Sequence, residues 1–263
     1  MIRKIGLWVS AAALVLVQSC SVNTETTYYK DSATSMESKL LMDQSMLTFM
    51  NMSGQTSMGS GMPNLKELPT EWKSLYDIQK DGKIVLNSKD AAPLKKLFLK
   101  VNKSQGDISG LSLKYDKLMP GEIAELLSQS KELKRIPLMD AARWNGNTLT
   151  IDTEKFNSAE FLSQIGENAG VNDPVSKPMS KSDSVAAYGR QMAQGMVGML
   201  KMFNMNYKTT MKFQKPIKSI TGKHDFVKQI DSKTVEINVN TKDLLDENHR
   251  FTNKDSKIIV TTE

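Results

Sequence analysis

The residues able to do chemistry are few and dispersed. Cys20 is the only cysteine of the 263 residues, so it can make neither an internal disulfide nor a cysteine-based zinc site. The two histidines are His224, followed by Asp225, and His249, within Asp246-Glu247-Asn248-His249-Arg250. A hydrolase triad needs a nucleophile, a base and an orienting carboxylate, but no serine stands in Gly-x-Ser-x-Gly. His224 falls between two predicted strands and His249 in a polar stretch, so both read as solvated surface residues. Asp152 and Glu154 have the residue types of a glycosidase pair, yet strand alternation puts them on a solvated outer edge. Asp77 to Gly82 begins like a calcium loop, but Ser88 stands where a bidentate Glu is required and Lys80 interrupts the ligands. That segment reads as a turn at Asp81-Gly82. Neither a dinucleotide-binding nor a P-loop glycine pattern is present, so no catalytic residue, metal site or cofactor is expected, and the chain reads as non-enzymatic.

Methionine is the compositional anomaly, at seventeen residues. Met196, Met199, Met202 and Met205 stand three apart, and thioethers suit Cu(I). On a helix, steps of three rotate about 60° backwards each time, which spreads four sulfurs around the circumference instead of aiming them at one ion. The better reading is an adaptable apolar face. Met192, Met196, Met199 and Phe203 are its expected lining residues, for an apolar ligand or for packing.

The N-terminus has three parts. Arg3 and Lys4 are basic, Ile5 to Val17 is an apolar run broken only by Ser10, and Val17-Gln18-Ser19-Cys20 follows. The run has the length of a signal-peptide core and is short for a membrane span. The order aliphatic, variable, small, cysteine resembles the lipobox of bacterial lipoproteins, with Gln18 a less usual residue at its position. The resemblance implies cleavage before Cys20 and a diacylglycerol thioether on its sulfur, usually with acylation of the new amine. Residues 1–19 are then a signal peptide, and Ser21 after the cysteine implies an outer-membrane protein facing the periplasm, with surface exposure still open. Residues 20–33, polar and rich in threonine, read as a lipidated tether, and residues 34–263 as one domain with a possible boundary in the Pro- and Ser-containing stretch 170–182.

Within that body, alternation predicts strands. Thr34, Met36, Ser38, Leu40 and Met42 share a face. Leu97, Leu99 and Val101 pair as a hairpin with Leu111, Leu113 and Tyr115 through a loop at Gly106. Trp144 to Asn147 is a turn before a strand from Thr148 to Asp152. Tyr207 to Phe213 and Val235 to Val239 are further strands, and Ile258 to Thr262 reads as a last edge strand. Helical spacing is expected at Met42 to Met50, at Thr70 to Gln79 with Trp72, Leu75 and Tyr76 on one side, from Pro120 with Ile123, Leu126 and Leu127, at Asn157 to Ile165, and from Asp183 to about Phe203. Strands interleaved with helices, without βαβ repetition, point to an α+β fold: an antiparallel, curved sheet with amphipathic helices on one face.

The C-terminal order of elements has a parallel. A strand ending Phe213-Gln214-Lys215-Pro216-Ile217, a turn at Thr221-Gly222 and then Ser232-Lys233-Thr234-Val235-Glu236-Ile237 resembles the LppM-type domain of bacterial lipoproteins over residues 206–262. Gln214 and Lys215 split the Phe-Pro pair of that pattern. The resemblance implies a curved sheet with helices around an apolar cavity, and lipid binding.

The formal charge of +6 includes Arg3 and Lys4, whose removal with residues 1–19 would leave +4. The remaining lysines are scattered, without the basic stripe and stacking aromatics of a nucleic-acid surface, so nucleic acid is not an expected partner. Beyond residue 23 no stretch approaches the ~20 apolar residues of a membrane span. The expected partners are the membrane, through Cys20, and an apolar ligand or envelope protein. The alternative is a structural or accessory envelope lipoprotein without a small ligand, and behind it stand an enzyme acting on envelope polymers and a methionine-based copper binder.

Overall fold

A computed structural model describes residues 20–42, 65–84, 92–129, 141–156, 205–246 and 249–263. They form a sheet-dominated α+β fold whose strands lie in two sheets. The larger is built from β1 (Ser21–Tyr28), β2 (Thr34–Leu41), β3 (Lys73–Ser74), β4 (Leu97–Ser104), β5 (Asp107–Leu118), β8 (Asn206–Phe213), β10 (Val227–Asp231) and β11 (Thr234–Asn240), in the order β10-β11-β8-β1-β2-β5-β4-β3. The smaller holds β6 (Ala142–Trp144), β7 (Thr148–Asp152), β9 (Ile217–Thr221) and β12 (Lys257–Thr262), in the order β6-β7-β12-β9.

The predicted polar tether is replaced by a strand. β1 lies inside the large sheet, antiparallel to β2 and parallel to β8. Its polar residues belong there because alternate positions face solvent. Val22, Thr26 and Tyr28 turn inward, while Glu25 is exposed. The β1–β8 pair also corrects the expected antiparallel sheet to a mixed one. A parallel pair needs a long crossover, and here the chain from Tyr28 to Asn206 makes it, so local alternation carried no trace of the direction. β12, read as an edge strand, instead lies between β7 and β9.

Both cores sit on one face of the large sheet. The register aligns Val235, Met211, Thr26, Met36, Tyr115 and Leu97 across six strands on that face. Over β1, β8 and β11 the cover is the small sheet. Tyr28, Tyr207, Met211, Phe213, Val235, Ile237 and Val239 pack on Leu149, Ile151, Ile258 and Val260. Over β2, β4 and β5 the cover is α1 (Leu75–Lys80) with a 3-10 turn at Pro93–Lys96. There Met36, Leu97, Val101, Tyr115 and Leu118 meet Leu68, Leu75, Ile78 and Leu94. The expected cover of helices is therefore divided between short helices and a second sheet.

Local signals hold at several points. Ser74 caps α1, its hydroxyl accepting from the Asp77 N–H at 3.1 Å, as N-cap serines do. Helix formation thus begins at Leu75, and Trp72, placed in that helix from its spacing, lies before β3. Pro120 opens α2 (Pro120–Gln129), and Glu122 accepts from the Met119 N–H at 2.8 Å. The β4–β5 hairpin turns on Gln105 (φ 53°) and Gly106 (φ 92°), the two positive-φ residues of a type I′ turn. Asn240 caps α3 (Thr241–Leu245). The expected helices at 42–50, 157–165 and 183–203 and the stretch 170–182 lie outside the described residues, apart from Met42.

Candidate functional site

Cys20 is the residue immediately before β1, and it is 1 % exposed. Its carbonyl accepts from the Asn206 N–H at 3.0 Å, so the pairing of β1 with β8 starts at the cysteine itself. The neighbouring corner is tied in the same way. Met205 N–H donates to the Thr241 hydroxyl at 2.9 Å, and Thr241 N–H donates to the Met205 carbonyl at 2.9 Å. Burial beside Cys20 raises the Tyr207 phenol well above its ordinary value, mainly by desolvation.

The opposite, polar face of the large sheet forms an open groove of about 510 Å³. Asn23, Glu25, Glu37, Lys39, Lys114 and Lys208 line much of it. Glu25 and Glu37 stand directly across β1 and β2, a like-charge pair that alone would be unfavourable. Lys212 holds Glu25 at 2.7 Å and Lys39 holds Glu37 at 3.2 Å, while Lys208 pairs with Glu236 at 2.8 Å. Further along, the ammonium groups of Lys100 and Lys114 lie 4.7 and 4.5 Å from the ring centre of Trp72, within cation–π range. Exposed ion pairs of this kind contribute little to stability. What the face offers is a near-balanced mosaic of charges with hydroxyls, and Met36 and Tyr115 also line it. Met192, Met196, Met199 and Phe203, the expected lining of an apolar face, lie outside the described residues.

The histidines are less dispersed than the sequence implied. His224 and His249 both pack on Phe251, with ring centres 5.6 and 4.6 Å away, and Phe226 completes the cluster at 5.0 Å from Phe251. His224 is half-buried, which corrects its reading as fully solvated, and its Nδ1 accepts from the Phe226 N–H at 3.2 Å. Burial pulls its pKa below the ordinary 6.5, against the opposing pull of Asp225 and Asp255. Asp225 is committed elsewhere. Its carboxylate accepts from the side chain of Asn253 at 2.9 Å and from the N–H groups of Thr252 and Asn253 at 2.7 and 3.1 Å, which holds its pKa below the usual carboxylate range. The arrangement braces the 249–255 loop.

The remaining candidates resolve into structure. Asp152 Oδ1 accepts from the Glu154 N–H at 3.2 Å and so helps open the 3-10 turn Thr153–Phe156, while Glu154 is exposed. Asp77 sits in α1, and Asp81 pairs with Lys73 at 2.5 Å, which lowers its pKa. Among the described residues no group of His, Cys, Asp or Glu could hold a metal ion, and no helix is long and apolar enough to cross a membrane.

A comparison with protein-family profiles gives no match, and neither does a comparison with curated proteins. Among solved structures the chain is similar to the NMR structure of the folded domain of LppM from Mycobacterium tuberculosis, with 12 % identity and a TM-score of 0.40 over 93 % of this chain and 90 % of that one.

Proposed function

We propose that this protein is a lipid-anchored, non-enzymatic module of the bacterial cell envelope, held by acyl chains on Cys20 and engaging an envelope partner through its folded domain. The observation that carries the reading is the order Val17-Gln18-Ser19-Cys20 after a basic start and an apolar run, with the sheet beginning at the next residue. One acyl chain binds a membrane only marginally, whereas two or more hold it firmly. Ser21 after the cysteine favours the outer membrane, with the domain facing the periplasm. The groove supports a protein or other polar partner, since its lining places the charges of Glu25, Glu37, Lys39, Lys114 and Lys208 around hydroxyls and the apolar surface of Met36 and Tyr115. An apolar ligand on Met192, Met196, Met199 and Phe203 is the second reading, and it draws on composition.

The anchor is tested on protein extracted from the membrane fraction. Intact mass spectrometry should show residues 1–19 removed and a diacylglycerol-sized addition on Cys20. A mature mass without acyl chains would refute the reading. The choice between partner and ligand is tested by native mass spectrometry: a co-purifying lipid would favour the apolar ligand, and a lipid-free protein that crosslinks through Lys39, Lys114 or Lys208 would favour the polar groove.

A further inference from the structure

Along the groove face of the large sheet, Lys39, Lys208 and Lys212 each hold a carboxylate. Lys100 of β4 and Lys114 of β5 have no carboxylate partner among the described residues, and their ammonium groups lie 4.7 and 4.5 Å from the ring centre of Trp72. Glu37 stands directly across from Lys114 in the register, yet its ion pair is with Lys39. The same register makes the lysines neighbours. Lys39 and Lys100 flank Ser112 from either side, and Lys114 is the next residue of β5 on that face. Lys114 is thus diagonal to both, at a separation of roughly 7–8 Å. Charges of one sign so placed repel one another. Trp72 answers that repulsion, because its electron-rich ring attracts both ammonium groups. Phe98, directly across from Lys114, sets a second ring 6.0 Å from the same ammonium. Beneath them Ser112 is buried and exchanges hydrogen bonds with the Asn102 amide at 2.9 and 3.1 Å, which fixes the floor. Trp72, Lys100 and Lys114 remain partly exposed.

The geometry points to a phosphate-binding site at this corner, made by Lys39, Lys100 and Lys114 and held in place by Trp72. The inference names the chemistry of the groove's partner and rests on the reading of the groove as a binding face. Lys39 and Lys114 line the groove, so the site opens into it. Three separate ammonium groups are single-point donors. A phosphate group presents three acceptor oxygens and close to two negative charges near neutral pH, so each ammonium can meet an oxygen of its own. A carboxylate is better matched by the two-pronged guanidinium, and no arginine lines the groove. Lys39 can serve the phosphate and Glu37 together, since an ammonium carries three N–H donors. Lys100 and Lys114 then supply the net positive charge. Holding their ammonium groups on one ring before the ligand arrives reduces the ordering cost of binding. The groove, at about 510 Å³, leaves room beside the site for the molecule that carries the phosphate.

The test is NMR titration of the full chain in detergent, following the tryptophan indole N–H signals, with that of Trp72 assigned by Trp72→Phe. The probes are inorganic phosphate, glucose 6-phosphate and, as the carboxylate counterpart, glucuronate. The Trp72 signal should move saturably with a phosphate probe while that of Trp144, between the sheets, stays in place. Lys100→Gln and Lys114→Gln should each weaken binding roughly tenfold or more, and Lys228→Gln on β10 should leave it unchanged. Tighter binding of glucose 6-phosphate than of inorganic phosphate assigns the site to a phosphate ester, and equal binding assigns it to the free ion. No saturable movement with either phosphate probe overturns the proposal. So does glucuronate binding as tightly as glucose 6-phosphate, or an equal loss in Lys228→Gln. If the proposal falls while a partner still crosslinks through Lys39 or Lys208, the groove reading stands without it. If those crosslinks are absent too, the groove reading falls with it.

Discussion

The two halves of the large sheet's buried face solve one problem with different materials. Over β1, β8 and β11 the cover is another sheet, and the contact is dominated by β-branched and aromatic residues: Val235, Val239, Ile151, Ile258 and Val260 are wholly buried. Tyr28, Trp144 and Phe213 lock the two sheets, with ring centres 5.3 to 5.7 Å apart, and the Trp144 indole N–H donates to the Tyr29 carbonyl at 3.0 Å. Over β2, β4 and β5 the cover is a short helix, a 3-10 turn and loop, and the residues shift to Leu, Met and Ile. Between them runs a polar seam, where Thr24 and Ser38 share a hydrogen bond of 2.9 Å and Thr34 meets the Tyr115 hydroxyl at 3.1 Å. Sheet-on-sheet contact rewards stiff branched side chains on a pleated surface. A six-residue helix and a 3-10 turn present an irregular surface, met here mainly by leucines with more rotamer freedom than valine and by the adaptable Met36.

Gly110 is the position of the sheet least able to accept a side chain. It holds φ 152°, and a Cβ there would stand 1.9 Å from the Leu40 carbonyl oxygen. Gly110→Ala should cost on the order of 4–5 kcal/mol or more and disrupt the β2–β5 pairing, as measured by denaturant unfolding. A loss under ~1 kcal/mol would mean the strand relaxes freely. Next come two truncations, one in each core. Phe213→Ala should cost about 3–5 kcal/mol and Ile78→Ala about 2–5 kcal/mol. If the shared sheet couples the halves, each variant lowers a single transition; two resolved transitions would show that the seam separates them. Thr34→Val removes the buried partner of the Tyr115 hydroxyl and should cost about 1–3 kcal/mol, in urea unfolding at neutral pH. The smallest effect belongs to His224. Burial lowers its pKa in the folded state, so the unfolded chain takes up the proton first as pH falls below 6.5. Stability is retained above that value and lost as pH drops from it toward the lower folded value. His224→Phe should flatten that part of the thermal-melting profile, and an unchanged slope would assign it to another group.

Much of the sheet was legible because alternation is a local property. β2, the β4–β5 hairpin, β7, β8 and β11 could each be found from one strand's own residues. The turn at Gly106 and the Pro120 helix start were legible for the same reason. β1 was not, since Ser21-Val22-Asn23-Thr24-Glu25-Thr26-Thr27-Tyr28 has only Val22 and Tyr28 to mark an inward face. Thr24 is accommodated because Ser38 of the neighbouring strand supplies a hydroxyl partner at 2.9 Å. The polar groove was equally hidden. Its lining comes from strands up to about 190 residues apart, each of which alone reads as an ordinary solvated face.

The sequence by itself determined the candidate anchor at Cys20, the period of the strands and the scarcity of catalytic groups, because each depends on residue identity and near neighbours. The tertiary structure decided that the polar stretch after Cys20 is a central strand, that β1 and β8 run parallel, that β12 is interior to its sheet and that a second sheet covers half of the first. Those outcomes depend on which distant segment supplies the partner for each hydrogen bond and each buried face. That choice is made by long-range packing, and no window of local sequence contains it.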